Sequence, residues 1–279
     1  MKKISTSQFK SKMRSLQNKY KQEVRRTERK INSQINAYNS AVRKYNSELR
    51  RNRTRINNEL SKLNSSTSYK GSLYYTTVLK VNTSYEKIVE KYSSSGNEKY
   101  NEIIDRIEEE NANNLEVANI VVNNEEKNEE YLEGDEISDK LRNISMDLDA
   151  RWKGAVFSLN PNNPDATRHF CTSTREIVTQ LIDNSIDDKS VEEKYPNCEK
   201  TNNGNVSRRA KIKYKLHEKG ITDEEIEDFI ANDAESVLEL IYELNGGTHG
   251  NAGKYSINQL KAIKNRVEKS INFLCDYIA

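Results

Sequence analysis

The stretch Phe9-Lys-Ser-Lys-Met13-Arg-Ser-Leu16-Gln-Asn-Lys-Tyr20-Lys-Gln-Glu-Val24 decides how the rest of the chain is read. Its apolar side chains recur at steps of three and four. The same steps continue through Ile31, Ile35, Tyr38, Val42, Tyr45 and Leu49 to Ile56, Leu60 and Leu63, and no Pro or Gly occurs before Gly71. At 1.5 Å per residue, one helix of this length spans roughly 90 Å, a rod that a single globular domain cannot bury. The steps match a heptad seam more closely than a free 3.6-residue period. A long coiled coil is therefore expected, made with a partner chain or folded back on helices downstream. Thr27 and Gln34, near seam positions, are of the kind that fixes register at a cost in stability.

Charge adds to this pattern. Residues 1–60 hold seventeen Lys or Arg against four acids, with clusters at Arg25, Arg26, Arg29 and Lys30 and at Arg50, Arg51, Arg53 and Arg55. Such a helix can track phosphates by salt-dependent attraction. From Glu86 to Asp149 the balance reverses, to nineteen acids against seven bases, so the formal charge of +2 conceals a basic arm and an acidic middle. Docking of one on the other, within or between chains, is the simplest account. The arm's task is then to dimerise or extend the molecule, to hold nucleic acid, or to pair with its own acidic helices.

Three prolines and ten glycines in 279 residues, with abundant Glu, Lys, Arg, Asn and Leu/Ile, favour an all-α chain. Met1-Lys2-Lys3 leads into an amphipathic pattern with no apolar core, so no secretory leader is expected. No run of eighteen apolar residues is present, so no membrane span is expected either. Cys171, Cys198 and Cys275 are odd in number and unpatterned, which argues against a disulfide framework or a four-ligand zinc site and fits a cytoplasmic location.

Further helices are expected over Leu73–Tyr92, from about Glu98 through Val121, from Ile137 through Leu148, and from about Pro164 to Asp183. The run Glu108 to Glu110 reads as a solvated face. Asp187 to Gly204, with Pro196, Cys198 and two turns, reads as a long surface excursion of the kind often used for function. Ser207 can cap a helix over Arg208–Lys219. Thr222-Asp-Glu-Glu225 and Ser256-Ile-Asn-Gln259 are capping-box patterns for the last two helices. The expected architecture is an elongated arm over residues 1–130 followed by a compact helical bundle over residues 131–279.

Two clusters carry chemistry. In Thr167-Arg168-His169-Phe-Cys171-Thr-Ser-Thr-Arg175-Glu176, helical spacing puts Arg168 and Arg175 on one face and His169 with Glu176 on the adjacent one. Histidine exchanges a proton near neutral pH and arginine holds a phosphoryl group bidentately, which together suit metal-free RNA cleavage. The competing reading is a buried Arg175–acid pair that organises the bundle. In Asn245-Gly-Gly-Thr-His249-Gly250, glycines permit close backbone approach, and His249 precedes a helix start where a phosphate can bind; it can equally be a helix C-cap. His217 lies inside Arg208-Arg-Ala-Lys-Ile-Lys-Tyr-Lys-Leu-His217 and is weighted least of the three histidines. Arg208, Arg209 and Lys211 of that stretch are a candidate nucleic-acid face, with Arg25, Arg26, Arg29, Arg50 and Arg51 on the arm. No phosphate-binding glycine loop or dinucleotide fingerprint is present. No cofactor is expected, although the acid content leaves open a Mg²⁺ site built from distant carboxylates.

The run Arg151-Trp-Lys-Gly-Ala-Val-Phe-Ser-Leu-Asn-Pro-Asn-Asn-Pro-Asp-Ala-Thr-Arg-His-Phe-Cys-Thr-Ser-Thr-Arg-Glu176 resembles the predicted nucleases associated with prokaryotic PIWI/Argonaute-type systems. Arg208–Tyr214, Asn245–Gly250 and Gln259–Glu268 fit the same family, and the likeness covers roughly residues 140–279. The layout is also similar to HEPN helical nucleases, in which an Arg and a His four to six residues further on meet at a dimer cleft. None of His169, His217 or His249 has an Arg at that preceding spacing, so Arg168 or Arg175 would have to meet His249 across helices or chains. The resemblance implies a cytoplasmic nuclease of antiviral defence, on RNA rather than DNA, with His249, Arg168, Arg175 and His169 as its catalytic set. It is expected to form a homodimer or higher oligomer through the coil, with a defence-system protein as a further partner. The other class is a non-catalytic adaptor or nucleic-acid sensor.

Overall fold

Helix formation follows local signals closely. In the computed structural model, which describes residues 5–65, 72–93, 100–123, 136–160, 162–184, 186–246 and 255–278, the elements are α1 (Thr6–Ser65), α2 (Leu73–Ser93), α3 (Asn101–Asn123), α4 (Glu136–Ile144), α5 (Met146–Ser158), α6 (Ala166–Asp183), α7 (Asp188–Lys194), α8 (Arg208–Glu218), α9 (Glu224–Gly246) and α10 (Ile257–Ile278). The described residues are all-α, with one isolated bridge between Lys200 and Val206. Among them no helix is long and apolar enough to cross a membrane.

The caps explain the boundaries. Ser256 and Gln259 form a reciprocal capping box at α10, with Ser256 N–H donating to Gln259 Oε1 at 2.8 Å and Gln259 N–H donating to Ser256 Oγ at 3.2 Å. Ser207 Oγ accepts from Ala210 N–H at the start of α8. Ser145 accepts from Asp147 N–H and so splits the expected 137–148 helix into α4 and α5. The excursion from Asp187 to Gly204 holds a short helix, α7, which was not expected. Asp187 caps it by accepting from Lys189 and Ser190 N–H. The following turn closes at Gly204, whose φ of +83° favours glycine.

The chain divides into two compact units, residues 1–51 and 52–279. In the first, the stripe from Phe9 to Tyr38 is exposed on α1. In the second, α2 packs on α9 and α3, α10 on α3, α6 and α9, and α5 on α6. α2 and α3, which the sequence reading placed on the arm, thus contribute to this core alongside Ile56 and Leu63 from the end of α1.

The acidic run of α3 is where the expectation of a solvated face fails. Glu108 and Glu110 are buried, along with Asn111, Asn113, Asn114 and Asn119. Basic residues at the end of α1 reach part of this layer. Arg53 Nε lies 3.4 Å from Glu108 Oε2, and Arg55 binds Glu116 and, at 2.7 Å, Asn113. Here the expected docking of basic on acidic segments is seen within one unit. Deeper still, the fully buried Arg266 holds Glu110 at 2.9 Å and, closer, Asp233, which also accepts from Ser270.

One guanidinium thus serves two buried carboxylates. Burial raises the pKa of both, that of Glu110 to about 7 despite Arg266. A raised carboxyl pKa means that the folded state retains a proton that the unfolded chain has lost. Its effect is therefore to lower stability as pH rises from about 4.5 towards 7. In Glu110→Gln the share of this slope that Glu110 sets should disappear, leaving that of Asp233. Urea midpoints from pH 4.5 to 8 should converge with wild type at low pH and exceed it above neutrality. Parallel curves would mean that Glu110 titrates normally.

Candidate functional site

Steps of four put Arg209, Lys213 and His217 along one face of α8. α7 lies against α8, and a small apolar cluster of Ile186, Val191, Val206 and Ala210 sits beside Tyr195, Cys198 and Tyr214. Between α8 and the segment Lys194–Glu199 lies a cavity of about 510 Å³. Arg209, Lys213, His217, Tyr195, Lys194 and Cys198 are among its lining residues.

The His217 ring is held at both nitrogens. Nε2 lies 2.5 Å from Oε1 of Glu227, a buried carboxylate from the first turn of α9. Nδ1 is in a very short contact with the Tyr195 hydroxyl. With a carboxylate at Nε2, the partners assign the ring proton to that nitrogen and leave Nδ1 to accept from the Tyr195 O–H. Tyr195 is fixed in turn by edge-on packing against His217 and Tyr214, at centroid distances of 5.5 and 6.2 Å. The result is a Glu227–His217–Tyr195 relay at a concave surface. Such an arrangement is able to pass a proton: a phenol oxygen can take one as its own moves to Nδ1, with Glu227 placed to stabilise an imidazolium.

Cations stand beside the relay with carboxylate partners. Arg209 lies 3.0 Å from Asp228 and also binds Asn232, while Lys213 reaches Asp228 at 3.2 Å and Glu227 at 3.9 Å. Lys194 pairs with Glu218 at 2.6 Å and lies over the Tyr214 ring. A phosphate entering this cavity would have to exchange with Asp228.

The residues singled out on α6 lie elsewhere. Phe170, Cys171, Thr174, Ile177, Val178 and Leu181 are buried, which turns Arg168, His169 and Arg175 outward, each more than half exposed. The alternative of a buried Arg175–acid pair is thereby overturned, since Arg175 is half-exposed and lies 3.3 Å from its exposed neighbour Glu176. Arg168 and His169 converge on Asp165, at 3.2 and 3.7 Å, and His169 Nδ1 lies 3.3 Å from the Asn163 amide. His249 falls outside the described residues. In the basic stretch, Arg208 binds Asp183 and the buried Lys211 lies 2.8 Å from Asp188. On α1, Arg25, Arg26, Arg29, Arg50 and Arg51 are exposed.

Sequence reasoning missed Tyr195 and Glu227 and ranked His217 last. One signal was present, the excursion that contains Tyr195. Its pairing with a helix 22 residues on is invisible to periodicity. Among the described residues no group of three or more His, Cys, Asp or Glu is arranged to hold a metal ion. Residues 141–274 match the model of a family described as predicted pPIWI-associating nuclease. No curated protein and no solved structure matches the chain.

Proposed function

We propose that this chain, whose residues 141–274 belong to the predicted pPIWI-associating nuclease family, is a metal-independent endoribonuclease of prokaryotic antiviral defence with its reaction centre at the Tyr195–His217–Glu227 cavity. The observation that carries the centre is the imidazole seated between a buried carboxylate and a phenol, within a cavity that also presents Arg209 and Lys213. In this reading the Tyr195 oxygen takes the ribose 2′-hydroxyl proton as its own passes to His217. The 2′-oxygen bonds to phosphorus, the bond from phosphorus to the 5′-oxygen breaks, and that oxygen takes a proton from water. Arg209 and Lys213 exchange Asp228 for the phosphorane oxygens. The products are a 2′,3′-cyclic phosphate and a 5′-hydroxyl.

The other sequence candidates have places in the same reading. Arg168, His169 and Arg175 offer exposed donors to the substrate strand, and the basic residues of α1 and α8 attract its backbone. His249 is the competing acid–base group. Self-association through a coil of α1 and a defence-system protein partner complete the assembly. A second reading, a non-catalytic adaptor or sensor, is favoured by one observation: Arg209 and Lys213 already have carboxylate partners, as structural cations do.

The test is cleavage of end-labelled RNA and DNA of one sequence, with and without EDTA, by wild type, His217→Ala and His249→Ala. EDTA-resistant RNA cleavage that His217→Ala removes and His249→Ala retains is expected. Loss only in His249→Ala would move the centre to His249. Failure of the purified wild-type chain and of its complex with the defence-system partner to cut either polymer would favour the adaptor.

A further inference from the structure

The exposed stripe of α1 repeats every eleven residues rather than every seven. Steps of four, three and four lead from Phe9 through Met13 and Leu16 to Tyr20. The same steps lead from Tyr20 through Val24 and Thr27 to Ile31, and from Ile31 through Ile35 and Tyr38 to Val42. Phe9, Tyr20, Ile31 and Val42 therefore share one position of the repeat, Met13, Val24 and Ile35 a second, and Leu16, Thr27 and Tyr38 a third. Eleven residues in three turns is about 3.67 residues per turn, close to an undistorted helix and on the opposite side of it from the 3.5 of a heptad. The apolar members from Phe9 to Tyr38 are 38–70% exposed.

Several occupants are inconsistent with this stripe. The longest described helices after α1 have 23 residues, and the apolar faces of α2, α3, α9 and α10 are buried within the second unit. α5, whose Met146 and Phe157 are exposed, has 13 residues and is too short to cover Phe9 to Val42. A lipid surface takes a broad apolar face, typically 100° or more, whereas these three positions lie within about 65° of arc at 3.67 residues per turn. A second α1 matches in length, period and polarity. The stripe runs about 50 Å, and a contact one helix wide, about 10 Å, approaches roughly 500 Å² on each copy, at the lower bound for a specific interface.

We infer that residues 9–42 of two copies pair along this stripe as a straight or gently right-handed eleven-residue-repeat coil. This deepens the self-association reading above and is independent of where the reaction centre lies. It carries a sign that charge-driven assembly does not. Residues 6–51 hold thirteen Lys or Arg against three Glu, so the two copies repel and the apolar seam must overcome that repulsion. Added salt screens like charges and should tighten the dimer, whereas it weakens contacts made to nucleic acid.

The test is sedimentation equilibrium of the nucleic-acid-free, full-length chain at about 50, 150 and 500 mM NaCl. A dimer whose dissociation constant falls with salt is expected. Ile31→Asp with Ile35→Asp should raise that constant roughly 100-fold. Asn32→Asp with Asn36→Asp, which adds the same charge off the stripe, should preserve or tighten the dimer. Inserting two alanines after Lys30 turns one half of the stripe away from the other, so it should weaken the dimer, whereas duplicating Tyr20–Lys30 keeps the phase and should not. A monomer at every salt concentration, or a dimer indifferent to the Ile pair, overturns the inference. RNA cleavage measured on the same preparations reports separately on the nuclease reading.

Discussion

Replacing Arg266 with alanine is expected to cost about 3–5 kcal/mol of unfolding free energy. The guanidinium is fully buried and faces two buried carboxylates, Glu110 on α3 and Asp233 on α9. Without it, both acids remain in a low-dielectric layer without the guanidinium that holds them, and folding must protonate them or leave them unpaired. The loss should therefore be larger at pH 8 than at pH 5. Arg266→Met with Glu110→Gln and Asp233→Asn should recover much of it, because an uncharged layer of similar volume removes the penalty. Urea unfolding followed by circular dichroism measures each step. A loss under about 1 kcal/mol in Arg266→Ala would mean that water enters and solvates the acids.

The second large effect is on catalysis. Tyr195→Phe removes one oxygen while preserving the ring that packs against His217 and Tyr214. If the phenol carries the proton, kcat for RNA cleavage should fall about 10²–10⁴-fold with KM nearly unchanged. Glu227→Gln retains the volume but offers Nε2 an amide in place of a carboxylate. It should lower kcat by a similar order. Arg209→Ala differs, since a lost phosphate contact should also raise KM and reduce the salt dependence of binding. A Tyr195→Phe enzyme with wild-type kcat would leave the relay as a structural linkage between α7 and α9 through α8.

Much of the helical framework was legible because its causes are local. The breakpoints at Ser207 and Ser256 follow from side chains that satisfy backbone donors within three residues. The buried face of α6 could be read from spacing alone, whereas the outward placement of Arg175 could not, because the spacing left a buried Arg175–acid pair open. The stripe of α1 was legible as well. Its period was harder to see, because steps of three and four occur in both seven- and eleven-residue repeats and only their order separates them.

Charge resisted reading. Glu108, Glu109 and Glu110 are consecutive and chemically identical, yet the first and third are buried and the second is exposed. What distinguishes them is Arg53 from α1 and Arg266 from α10, the latter 156 residues away. His217 is the same case: a basic neighbourhood suggests a solvated nucleic-acid face, and only the packing of α7 and α9 on α8 supplies Tyr195 and Glu227. Sequence alone determined an all-α chain, its helix starts and an apolar stripe on α1, since backbone hydrogen bonding and side-chain periodicity act over a few residues. Tertiary structure decided which carboxylates are buried and which imidazole gains a carboxylate and a phenol, because the energy of a charge depends on partners and solvent that distant segments bring.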